Sequence, residues 1–128
     1  MTELPTAFER LGGEAGLRMI VDDFVERMFV DVMIGFFFHN ADKRRIQEFE
    51  YQHAAEHLGG PVRYAGRPLR QAHAAHPIMG GQFARRKEIL RKTLVDHHAP
   101  ADVIDAWLTH TEALRDQVTA QPDGQCID

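Results

Sequence analysis

The sequence is poor in the features that mark several protein classes. It has one cysteine in 128 residues, Cys126 near the C-terminal end, so no internal disulfide framework is possible. It lacks a long apolar run. The longest, Val32 to Phe38, is seven residues and includes Gly35, whereas a membrane-spanning helix needs about 18 or more. It lacks a basic excess: Lys plus Arg is 15 against 19 for Asp plus Glu, a formal charge of −4. Neither a nucleic-acid groove nor an anionic membrane surface is expected of that balance. Acidic Glu3 and Glu9, with no apolar run near Met1, argue against a secretory signal and make the cytoplasm the expected location. The common catalytic signatures are also missing. There is no His-Glu-x-x-His zinc motif, no Gly-x-Ser-x-Gly nucleophile elbow and no glycine-rich phosphate loop after a strand. Glu50-Tyr51-Gln52-His53 supplies one Glu-x-x-His motif, but a di-iron carboxylate bundle needs two, so that reading fails on count.

What is present is an ordinary globular composition, 44% hydrophobic and 27% charged, of single-domain length. The single domain is expected to span residues 1–128, with a polar tail over 121–128. Eight histidines are many for this size, and histidine is both the commonest metal ligand and the neutral-pH proton carrier. Glycine and proline punctuate the chain at Gly12-Gly13, Gly59-Gly60-Pro61, Gly66, Pro68, Pro77, Gly80-Gly81 and Pro100. Between them the spacing is helical. Leu17, Val21, Phe24 and Met28 recur at steps of 4, 3 and 4 within 14–30. Over 42–58, Ile46, Phe49 and Leu58 share a face, with Glu50, His53 and Ala54 at its margin. Phe83, Leu90 and Leu94 line one side of 82–98, and Arg85, Lys87, Glu88 and Arg91 suit its wet side. A last helix is expected over 101–119, led in by Pro100 and carrying Val103, Ile104, Trp107, Leu108, Leu114 and Val118. No period-2 run competes, and the fold class is all-α.

Three pieces then occur in order. Phe8-Glu9-Arg10-Leu11-Gly12-Gly13-Glu14 comes first, Leu58-Gly59-Gly60-Pro61 with Tyr64-Ala65-Gly66 second, and Leu69-Arg70-Gln71-Ala72-His73 third. Together they resemble the truncated haemoglobins, small haem proteins with a two-over-two helical sandwich. The likeness runs from about Ala7 to Val118 and is nearest to the group I pattern, although His73-Ala-Ala-His76-Pro77-Ile78 looks more like the other groups. The resemblance implies haem b held by His73 as the proximal iron ligand, which suits a neutral imidazole oriented through its second nitrogen. His76 is the internal competitor, but Pro77 biases it toward extended backbone. The resemblance also places Phe38, of the Phe36-Phe37-Phe38 run, on the haem face. Tyr64 matches a tyrosine that helps bind a propionate. A core wedge and a helix-end cap are the structural alternatives for these two.

The distal side departs from the family pattern. Val25 stands where a tyrosine usually donates a hydrogen bond to the bound ligand. Ile46 takes the first distal position, and Glu50 falls where glutamine is common. An ionised carboxylate only accepts hydrogen bonds. Arg86 falls where relatives carry an apolar residue or tryptophan, and His53 aligns with a usually aromatic position at the haem edge. Glu50 and Arg86 either reach out of the pocket, leaving it lined by Val25, Ile46 and nearby carbons, or pair beside the iron, since a desolvated charge needs a partner. Tyr51 would supply the missing phenol only by a rotation of its helix. The implied function is binding of small ligands such as O2, NO, CO or peroxide, with peroxide or nitrogen-oxide redox chemistry at Arg86 and Glu50 as the leading mechanism and a reductase as partner. Reversible oxygen binding, NO dioxygenation and a sensor or interaction module are the alternatives.

Overall fold

The structure is a computed structural model that describes residues 4–65 and 80–115. Five α-helices are defined there, and the described residues contain no strand. We number them α1 (Ala7–Arg10), α2 (Gly13–Val30), α3 (Lys43–His57), α4 (Gly80–Asp96) and α5 (Ala101–Ala113), with a 3-10 turn over Gly35–Phe38. His73, His76 and the tail over 121–128 lie outside the described residues.

Local chemistry sets each start and stop. Thr6 and Glu9 form a reciprocal capping box at α1: the Thr6 hydroxyl accepts from the Glu9 N–H, and the Glu9 carboxylate accepts from the Thr6 N–H. Gly12 turns the chain into α2 with φ at 99°, in the left-handed region. One turn on, Gly16 is required by contact. A Cβ there would meet the Leu11 carbonyl oxygen at 2.0 Å. Asp42 caps α3 by accepting from the Arg45 N–H. Pro100 lies at the N-cap of α5, where its missing N–H is no loss.

Helix α2 is the central element and packs on both α3 and α4, while α4 packs on α5. Leu17, Ile20, Val21, Phe24, Val25 and Met28 are all buried, while Met19, Asp22 and Glu26 on the other side of α2 are exposed. Its spacing had predicted four of these six. The inward face of α3 differs from the expected one. Tyr51, Ala54, Ala55 and Leu58 are buried, at steps of 3, 1 and 3, while Ile46, Phe49, Glu50 and His53 are only half-buried. The helix is therefore rotated from the reading based on Ile46 and Phe49. Small Ala54 and Ala55 let α3 approach α2 closely, and a face of small residues carries little signal in a hydrophobicity pattern. Tyr51 packs beneath the Arg18 guanidinium, whose central carbon lies 3.8 Å from the ring centroid.

The end of α2 is tied to α4 by Asp31. Its side chain is 6% exposed, accepts from the Met33 and Ile34 N–H groups, and takes two bonds from Arg85 at 2.9 and 2.7 Å. Arg85 and these two N–H groups hold the Asp31 carboxyl below its ordinary range, with the Arg85 hydrogen bond the largest cause. Arg85 thus braces the turn carrying Phe36 to Phe38, instead of simply lining a wet face.

Candidate functional site

The site is built where α2, α3 and α4 meet. Val25 is wholly buried and contributes only carbon. Next to it in sequence, Phe24 is 2% exposed. Phe38 is half-buried and stacks on Phe29, with centroids 4.9 Å apart and planes at 15°. Ile46 packs on the same core.

Glu50 and Arg86 come together. Arg86 Nη2 donates to both oxygens of Glu50, at 3.0 and 3.1 Å, and the two side chains are 31% and 24% exposed for glutamate and arginine respectively. The Arg86 guanidinium also sits 5.1 Å from the centroid of the Phe24 ring. The two side chains are thus paired with each other. Tyr51 lies on the other side of α3, against Arg18, and is not part of this group.

His53 is the next residue along the Glu50 face. Burial pushes its imidazole below the ordinary value; Glu50 and Glu56 oppose that shift and Arg86 adds to it. Tyr64 meets His53 edge-on at 5.4 Å and Phe49 at 5.9 Å. The Tyr64 N–H donates to Glu56 at 2.5 Å and the Ala65 N–H to Gln52 at 2.8 Å, which clamps this segment onto α3.

The sequence reading did not single out His57 and His110. Their rings stack at 3.6 Å with planes 10° apart, and His110 also lies 5.7 Å from His53. Nε2 of each is buried without a hydrogen-bond partner, an uncommon state for polar atoms. The four-residue step from His53 to His57 places both on one face of α3 and was available as a signal. The contact with His110 arises only when α5 packs. Burial first, then His110 and His53, lowers the His57 pKa to about 4, and burial likewise lowers that of His110. Among the described residues no group of three histidine, cysteine or carboxylate side chains could hold a metal ion.

The stack has a consequence for stability. An imidazole whose pKa is lower folded than unfolded binds fewer protons in the folded state, so stability rises with pH across the window between the two values. For His57 that contribution is complete above the ordinary 6.5 and is lost as pH falls toward about 4. The charges acting on the cluster are Glu50 and Glu56 of α3 and Arg86 of α4, all through His53. Between about pH 7.5 and 5.5, the Tm of the natural protein should drop by roughly 3 °C or more beyond that of a His57→Phe/His110→Phe variant, which keeps the stack without the protons. Equal slopes in thermal melts would show that these rings are protonated freely in the folded chain.

An all-helical domain with an aromatic and apolar wall, a buried α2 and a few polar groups at one edge is the setting of a small haem protein. A planar apolar macrocycle suits walls of carbon such as Val25, Phe24, Phe38 and Ile46. The apolar character of these side chains fits such a group, and His73, the histidine expected to hold its iron, lies outside the described residues. The chain matches the bacterial-like globin family over residues 6–120 and belongs to it. It is 31% identical over 105 residues to the group 1 truncated hemoglobin of Synechocystis sp., covering 79% of this chain and 85% of that one. The truncated hemoglobin of Tetrahymena pyriformis in its Fe(III) form superposes with a TM-score of 0.84 at 26% identity, over 91% of this chain and all of that one. The 2/2 hemoglobin of Synechococcus sp., solved in the cyanomet state with covalently attached heme, gives a TM-score of 0.81 at 26% identity, over 89% of this chain and 98% of that one. Family and fold together make this a truncated two-over-two globin, and haem-based binding of small gaseous ligands is the general property of that family. No helix among the described residues is long and apolar enough to cross a membrane.

Proposed function

We propose that the chain binds haem b through His73 and uses it to bind small ligands, with reactivity toward peroxide or nitrogen oxides governed by Arg86 and Glu50. Phe38, Ile46, Val25, His53 and Tyr64 would line the haem. The observation that carries the redox part is the Arg86–Glu50 pair, at 3.0 and 3.1 Å on a face whose neighbouring position, Val25, has no hydrogen-bond donor. Bound haem supplies the electron-transfer chemistry. The protein's share is a fixed positive charge for an anionic ligand and a carboxylate able to hold or give up a proton at Oε1 or Oε2. Such a face suits charged ligands better than simple oxygen storage. Small gaseous or peroxide ligands are the partners in this reading, with a separate reductase to return the electrons.

Absorption spectra of the purified protein, ferric and ferrous, with and without added hemin, test it first. A Soret band with a ferrous–CO form is expected, and no Soret band after hemin addition would end the haem reading. A second test addresses Val25. A neutral hydrogen bond contributes about 0.5–1.5 kcal/mol net, so Val25→Tyr should slow oxygen dissociation roughly 2- to 10-fold. An unchanged rate in stopped-flow measurements would mean that another donor already serves the bound ligand, with Arg86 the first to test.

A further inference from the structure

Arg86 uses its guanidinium differently from five of the other arginines that hold carboxylates. Arg10, Arg18, Arg85 and Arg91 each engage carboxylates through two nitrogens, and Arg27 through three. Arg86 gives only Nη2, and both Glu50 oxygens converge on it. Among the described residues its Nε and Nη1 have no partner. A half-buried guanidinium with unused N–H groups, one face lying over Phe24 at 5.1 Å, is an incompletely filled anion site.

We propose that Arg86 is the cation of a binding site for a small planar oxyanion, and that Glu50 is the resident occupant which such an anion displaces. The chemistry is that of a planar fork. Two parallel N–H groups of a guanidinium match the two oxygens of a formate-like or nitrite-like anion, which a single Nη2 contact does not. Glu50 acts as an internal competitor. While it sits on Nη2 the pair sums to no net charge and an entering anion meets a carboxylate at close range, so affinity is low. Swinging Glu50 outward, toward the solvent it already touches, leaves the fork open and the charge unbalanced. The proposal rests on the reading of this face as the ligand side of the protein, and it names the class of ligand that face selects.

The test is a titration of the full chain as purified, and again after hemin addition, with sodium formate and sodium nitrite. Amide resonances around residues 50 and 86 provide the readout, independent of any turnover. Formate should perturb them in the natural protein. In Glu50→Gln, which removes the competing charge but keeps the shape, saturation should come at about tenfold lower formate or less. Arg86→Leu should abolish the response, and Arg86→Lys, which keeps the charge but loses the fork, should bind formate more weakly than the natural protein. Equal or weaker binding in Glu50→Gln, or a natural-strength response in Arg86→Leu, overturns the proposal. So does the absence of a response in every form. Because the purified chain is titrated without added hemin as well, failure of haem binding and failure of this site are separate results.

Discussion

His73→Ala should leave the protein unable to retain haem, whereas His76→Ala should leave the ferrous–CO spectrum nearly unchanged. The iron of a globin-type haem is held by one proximal imidazole, and removing it takes away the only covalent anchor of the group. The described histidines offer poor substitutes. His97 is engaged with Asp23 at 2.7 Å, His57 and His110 are stacked on each other, and His39 and His98 are exposed. His53 has the Arg86–Glu50 pair and Tyr64 as its neighbours. Free imidazole added to His73→Ala should restore a Soret band, because the pocket walls would remain. Loss of the band in His76→Ala with retention in His73→Ala would reverse the assignment. Loss only in His53→Ala would move the ligand to α3.

The sequence carried the helices well because their signals are local. Leu17, Val21, Phe24 and Met28 keep a helical period, and Gly12-Gly13 and Pro100 mark boundaries in the chain itself. The rotation of α3 was not legible, since its inward face is made by Ala54 and Ala55 and by a tyrosine that also suits a surface. Long-range polar contacts were legible only in part. The Glu50–Arg86 pair, 36 residues apart, was open between two arrangements until α3 and α4 were packed. Arg85, the neighbour of Arg86, reads identically in a hydropathy pattern yet turns to buried Asp31, because consecutive residues on a helix point about 100° apart. The His57–His110 stack joins residues 53 apart and has no periodic signature.

Replacing Arg86 by leucine should then have the largest effect on the proposed reactivity toward anions and peroxide. A guanidinium is charged at every working pH, and at 24% exposure Arg86 acts through less water than a surface residue would. In the ferric protein, Arg86→Leu should weaken fluoride binding by more than about tenfold, since an anionic ligand loses a preorganised positive charge. Peroxide-dependent dye oxidation should fall with it, because negative charge developing at the distal face loses the same partner. The leucine also strands Glu50, a half-buried carboxylate whose only described cationic contact is Arg86, so some loss of Tm is expected from the uncompensated charge. Arg86→Leu combined with Glu50→Gln separates the two effects: it should recover the lost Tm but not the fluoride affinity. Glu50→Gln alone keeps the cation and removes the proton-carrying oxygen, so it should reshape the pH profile of dye oxidation while anion affinity holds or rises. Fluoride titrations and dye oxidation across about pH 5 to 9 distinguish these outcomes. If all the variants behave like the natural protein, the pair has no part in reactivity, and reversible ligand binding at a pocket of carbon atoms becomes the better account of what this globin does.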